Sequence, residues 1–124
     1  MTRKVLNVGQ CAFDTGQITN LLTKHFSVEI TPAADHSSAV QLAKQSDFDL
    51  ILINRVLDST GTEGMEVLQA LKDDPTTQQT PVMIVSNFAE AQDAAVQAGA
   101  VPGFGKSSIN DEATVDNLRQ YLAS

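Results

Sequence analysis

A chain of 124 residues is long enough for one domain with its own core, without metal or disulfide support. Acids outnumber bases 15 to 8, for a net charge of −7, and the five lysines and three arginines are scattered. That excludes a nucleic-acid surface, where phosphate contacts need clustered Lys and Arg. No unbroken apolar run exceeds the four residues of Leu50–Ile53, far short of the ~18 of a membrane span, and nothing resembles a leader peptide. The lone Cys11 cannot make an internal bridge, so a reducing, cytoplasmic setting is expected.

Along the chain, two hydrophobic periods alternate. Lys4–Val8 is a short apolar strand ending at Gly9. Asp14, with Gln17 three residues on, has the spacing of a capping box, and Ile18, Leu21, Leu22 and Phe26 then recur at helical intervals. Ser27–Thr31 reads as a second strand stopped by Pro32, and Ser37–Gln45 as a weaker helix with Val40 and Ala43 inward. Asp49–Asn54, DLILIN, is the most apolar strand and therefore central, covered on both faces.

A helix opening at Gly64 turns Met65, Leu68 and Leu71 inward and closes at Asp73-Asp74-Pro75. Pro81–Ser86 is the fourth strand, and an Ala-rich helix follows to Gly99, a natural C-terminal stop. A fifth short strand is expected over Pro102–Lys106, then a last helix from near Asn110 with Val115, Leu118 and Leu122 on one side. Strands alternating with helices require a parallel sheet covered on both faces. Five such units fill residues 1–124 as a single domain, with no repeat, linker or low-complexity segment.

The stretch AVPGFGKS, Ala100–Ser107, fits a phosphate-cradling loop pattern of Gly or Ala, four residues, then Gly-Lys-Ser. Such a loop needs a helix opening at the Lys-Ser and further strands downstream to supply a magnesium-holding acid. Here only residues 108–124 follow, the helix start lies at Asn110, and Pro102 sits inside the supposed loop. Lys106 is better read as the last residue of the fifth strand.

In an open parallel sheet, function collects beyond the carboxyl ends of the strands. Those ends carry Gly9 and Gln10, Asn54, Ser86 and Lys106. With KVLNVGQ, DFDLILIN, GMEVLQALKDDP, TPVMIVSN, AVQAGA and the terminal lysine in order, the whole chain resembles a receiver domain of bacterial response regulators. The resemblance implies a CheY-like, flavodoxin-like doubly wound (βα)5 fold of three layers, with a five-stranded sheet in the order 2-1-3-4-5. It also implies a phosphorylation pocket. In that family an acid pair after strand one holds Mg²⁺, an aspartate after strand three accepts the phosphoryl group, and a Ser or Thr and a Lys contact it. The chemistry asks for those types: hard anionic oxygens for Mg²⁺, a nucleophilic carboxylate, and a cation with a hydroxyl to receive the transferred charge.

Measured against the family pattern, Ser86 and Lys106 are kept, while Gly9 and Gln10 stand where the acids belong and Asn54 where the acceptor belongs. An amide is isosteric with a carboxylate but neither anionic nor usefully nucleophilic. No metal, cofactor or catalytic residue is therefore expected. Ser107 replaces the family's proline, and a trans bond is expected there because cis before serine costs about 2.5–4 kcal/mol. The switch aromatic's position, three residues before the lysine, is Gly103, with Phe104 displaced by one. The loop RVLDSTGTEG is longer than the family norm, and its Asp58 falls where proline is usual.

A lysine stripped of anionic neighbours is costly to keep in a half-buried site. Three outcomes are open for Lys106: reaching to solvent, pairing with Asp58 or Glu63 of the lengthened loop, or holding a small anion. Asn7 is expected to be a satisfied polar group under the loop. Cys11 reads as a half-buried small residue, and His25 and His36 as surface residues without metal spacing.

With those departures, the function the resemblance implies is a signalling domain of a two-component phosphorelay that is not phosphorylated by the usual chemistry. The resemblance further implies protein contacts on the face of helix four, strand five and helix five, with Phe104, Arg119, Gln120 and Tyr121 as contact residues. A histidine kinase or an output domain is the partner the resemblance implies, or a second copy of the chain. The alternatives are an orthodox phosphoaccepting regulator, or one with an unconventional acceptor such as Asp58, and a small-anion sensor built on Lys106.

Overall fold

The computed structural model describes residues 2–123. Its elements are β1 (Arg3–Val8), α1 (Ala12–His25), β2 (Val28–Ala33), α2 (His36–Gln45), β3 (Leu50–Asn54), α3 (Gly64–Asp73), β4 (Val82–Val85), α4 (Ala89–Gln97), a 3₁₀ turn (Lys106–Ser108) and α5 (Glu112–Leu122). The strands are parallel in the order β2-β1-β3-β4.

All five residues of β3 are buried, as its unbroken apolar run requires. Successive side chains leave a strand on opposite faces, so Ile51 and Ile53 pack with α2, α3 and Ala95 of α4, while Leu50 and Leu52 pack with α1 and α5. The result is three layers with two cores sharing one sheet. Ile18, Leu21 and Leu22 fill one side from α1, and Val115, Leu118 and Leu122 join them from α5. Leu68 and Leu71 point inward from α3 together with Val67, whereas Met65 is half-buried. On α2 the inward pair is Ala39 and Ala43, with Val40 packed at the margin.

Three expectations are corrected. The cap of α1 is Cys11, whose Sγ accepts from the Asp14 N–H at 3.4 Å, so the helix begins early and Asp14 lies inside its first turn. Pro32 does not stop β2 but lies within it, opposite Asn7. It is tolerated because β2 is an edge strand, where a missing N–H on the outer side breaks no ladder.

The third correction concerns the sheet itself, which among the described residues has four strands rather than five. Residues 100–105 run beside β4 but pair with it at one bridge, Val85 to Phe104. The side chain of Gln92 stands in the seam, its Nε2 donating to the Ile84 carbonyl at 2.8 Å and its Oε1 accepting from the Gly103 N–H at 3.0 Å. Those are two backbone groups that a fifth strand would have paired with each other. Lys106 accordingly does not end a strand; it opens the 3₁₀ turn.

Candidate functional site

Beyond the carboxyl ends of β1, β3 and β4, the loops bring Gly9, Gln10, Asn54, Ser86 and Lys106 to one edge of the sheet. Gly9 takes a φ of +71°, which a residue with a side chain rarely adopts. A Cβ there would stand 2.4 Å from Leu57 Cγ. Leu57 is fully buried, carried into this place by the β3–α3 loop. That loop is ordered by its own backbone bonds: Leu57 N–H donates to Thr62, Gly61 N–H to Leu57, and Gly64 N–H to Arg55.

The Gly9 carbonyl accepts twice, from Asn54 Nδ2 at 3.0 Å and from the Asp58 N–H at 2.9 Å. Asn54 is 8% exposed, so its amide is a buried donor with a buried acceptor. This arrangement needs the amide; a carboxylate would set two oxygens against each other. Gln10 buries both carboxamide atoms without a hydrogen-bond partner among the described residues. Asn7, 2% exposed, has an Oδ1 without a partner among the described residues, which corrects the expectation that it would be satisfied.

On the opposite side of the edge, Ser86 is buried and its Oγ accepts from the Phe88 N–H at 3.1 Å. An open cleft of about 340 Å³ runs between Asn54, Arg55, Ser86, Asn87, Phe88 and Lys106. The Arg55 guanidinium lies over the Phe88 ring, 4.9 Å from its centroid, and Phe88 is exposed. Asn87 Oδ1 accepts from both the N–H and the hydroxyl of Ser107, each at 3.0 Å, fixing the turn that carries Lys106. The peptide bond before Ser107 is trans, as expected.

Lys106 is paired, but with neither expected acid. Its Nζ lies 2.6 Å from Oδ2 of Asp14, and among the described residues neither Asp58 nor Glu63 makes an ion pair. The loop spends its length on burying Leu57 rather than on delivering an acid: Asp58 is exposed, and Glu63 bridges back to Val56. The Asp14 side chain is only 15% exposed, and the ammonium of Lys106 holds its carboxyl below the usual range, against the opposing effect of burial, with the Cys11 thiol adding a further hydrogen bond. Reading Asp14 as a cap concealed this role. With the cap at Cys11, the same acid sits on the first turn of α1, facing the edge where Lys106 emerges.

The expected contact face also divides. Phe104 is not on it: at 5% exposure it belongs to the core with Met83, Val85, Val115 and Leu118. Arg119 and Gln120 are exposed and Tyr121 half-buried. Arg119 pairs with Asp116 and lines a groove with Lys24 and His25 of α1. Gln120 bonds Asn117, which reaches the Pro102 carbonyl on the other side of α5.

A doubly wound parallel sheet with a polar cleft at its carboxyl edge defines a ligand- or signal-handling α/β domain. Comparison with known proteins narrows this. The family model for the response regulator receiver domain matches residues 15–118, and the chain belongs to that family, the receiver domains of two-component systems. The match begins beyond Gly9, Gln10 and Asp14.

Over 90 residues the chain is 35% identical to the nitrate/nitrite response regulator protein NarP of Escherichia coli (strain K12). That stretch is 73% of this chain and 40% of NarP, so the chain spans about two fifths of that relative's length. Among solved structures, the Vibrio cholerae chemotaxis protein CheY4 superposes with a TM-score of 0.79 at 22% identity, covering 98% of this chain and all of the other. The receiver domain of the sensor histidine kinase PA1611 from Pseudomonas aeruginosa, with a magnesium ion in its cleft, gives 0.74 at 17% identity over the whole of both chains. Both share the fold.

Proposed function

We propose that residues 1–124 are one receiver domain that does not take up a phosphoryl group and signals through constitutive protein contacts. The observation that carries this reading is the state of Lys106. The cation that would meet an incoming phosphoryl group is already neutralised, 2.6 Å from an acid on α1.

The first and third strand ends support the same conclusion. Mg²⁺ asks for several hard oxygens in near-octahedral array. Gly9 offers no side chain, its carbonyl is spent on two donors, and Leu57 fills the space above it. Asn54 turns its amide donor inward, and Asp14 is committed to Lys106. Among the described residues no three His, Cys, Asp or Glu side chains gather as metal ligands. The residues present do not fit the ion.

The partner this reading favours is a histidine kinase or an output domain that contacts the α5 surface at Gln120 and Tyr121, or a second copy of the chain. The test is incubation with acetyl phosphate and Mg²⁺, read by intact mass. An unmodified chain is expected. Addition of one phosphoryl group per chain contradicts the reading, and its loss in Asp58→Asn would assign the unconventional acceptor.

A further inference from the structure

We infer that Gln92 is a latch that holds α4 and the segment 100–105 in a single arrangement, uncoupling the α4 side of the molecule from events in the cleft. This rests on the proposed function only in its meaning, since a pocket that takes no phosphoryl group has nothing to transmit. Its geometry stands independently.

The register along β4 shows what Gln92 replaces. In a parallel ladder, a residue facing position n donates to n−1 and accepts from n+1. Val101 N–H donates to the Val82 carbonyl at 2.9 Å. Continued in that register, Gly103 N–H would reach the Ile84 carbonyl, and Ser86 N–H would reach the carbonyl of Gly103. Instead Ser86 N–H donates to Phe104 at 3.0 Å. One extra residue has entered the segment, which is a β-bulge.

The bulge parts the Gly103 N–H from the Ile84 carbonyl, and the Gln92 carboxamide bonds to both of them. Its Nε2 donates to Ile84 at 2.8 Å and also to the Ser86 carbonyl at 3.2 Å, while its Oε1 accepts from Gly103 at 3.0 Å. Only glycine fits at the bulge, because a Cβ on Gly103 would lie 2.3 Å from the Ile84 oxygen. The displaced register then seats Phe104 in the core.

Ser86 is held twice by the same end of α4. Its carbonyl accepts from Gln92 and its Oγ accepts from Phe88 N–H, the residue that caps α4. For α4 to shift against β4, all of these bonds must break together, and Ile84, Ser86 and Gly103 would lose partners in a part-buried seam. Phe104 could not swing outward without undoing the bulge.

The test compares the intact chain with Gln92→Ala and with Gln92→Met, which keeps the length and apolar stem but removes the carboxamide. Amide hydrogen exchange and NMR relaxation dispersion are read without metal or phosphodonor. In the wild type, Gly103 N–H is protected like Val101 N–H, and residues 86–105 show no microsecond-to-millisecond exchange. Loss of one net hydrogen bond predicts Gly103 exchange roughly tenfold faster in both variants. Val101 stays unchanged, and dispersion appears across 86–105. Dispersion over that span in the wild type overturns the latch, as does a Gln92→Met protein as quiet and as protected as the wild type. Neither outcome bears on phosphorylation, so failure here is distinguishable from failure of the proposed function.

Discussion

The two halves of the cleft are built by opposite means. On the β1–β3 side, Gly9, Asn54 and Leu57 form a closed, neutral plug held by apolar contact and buried hydrogen bonds. On the β4 side, Ser86, Asn87 and Lys106 stand in an open, polar margin, and the charge is balanced by an ion pair with α1. The difference teaches where stability resides. Disturbing the first half disturbs the fold, whereas disturbing the second changes electrostatics at little structural cost.

The largest effect is expected from the plug. Leu57→Ala removes a fully buried side chain and should cost about 2–5 kcal/mol, measured by urea unfolding. Gly9→Asp, which would restore an acid, meets both Leu57 and a positive φ, and a loss of about 3 kcal/mol or more is expected. A Gly9→Asp protein as stable as the wild type would mean that the plug is soft. Asn54→Asp exchanges a buried donor for an acceptor facing the Gly9 carbonyl, and about 2 kcal/mol is expected at neutral pH.

The opposite side should respond less. Asp14→Asn removes the partner of Lys106 and is expected to cost about 1 kcal/mol, a drop in Tm of roughly 3–6 °C. The sign with pH follows from the lowered pKa of Asp14. Its contribution is fully present above the unfolded carboxylate value of about 4 and is lost as pH falls through the lower folded value. The stability gap between wild type and Asp14→Asn should therefore close below about pH 4. A gap that persists at low pH would place the effect in helix packing. The smallest effect is expected from ligand addition: millimolar phosphate or sulfate should leave the Tm unmoved, because Lys106 already has its anion. A clear rise would favour the anion-sensing alternative and would assign Arg55 and Lys106 to it.

The sequence made the plan of the fold legible because apolar spacing is local. Ile18, Leu21 and Leu22 could be placed on one face, and β3 in the centre, from periodicity alone. What escaped depends on side chains that reach across the structure. Gln92 is an unremarkable helical polar residue until its carboxamide meets Ile84 and Gly103, so the fifth strand was expected where a bulge stands. Asp14 looked like a cap because the thiol of Cys11 is a weak acceptor that the usual capping preferences pass over. Asp58 and Glu63 are the acids of the loop that follows β3, but that loop turns inward on Leu57 and leaves Asp58 in solvent. The neutral positions Gly9, Gln10 and Asn54 could be named from the strand ends. That Leu57 fills the space over Gly9 could not, since it follows from a loop conformation.

The central claim is that the plugged half offers no seat for a divalent cation. Titrating Mn²⁺, a paramagnetic stand-in for Mg²⁺, into the labelled protein tests it through line broadening of individual amides. Gly9, Gln10 and Asn54 are expected to broaden no more than exposed acidic surface residues up to millimolar metal. Selective, saturable broadening centred on those three amides would contradict it.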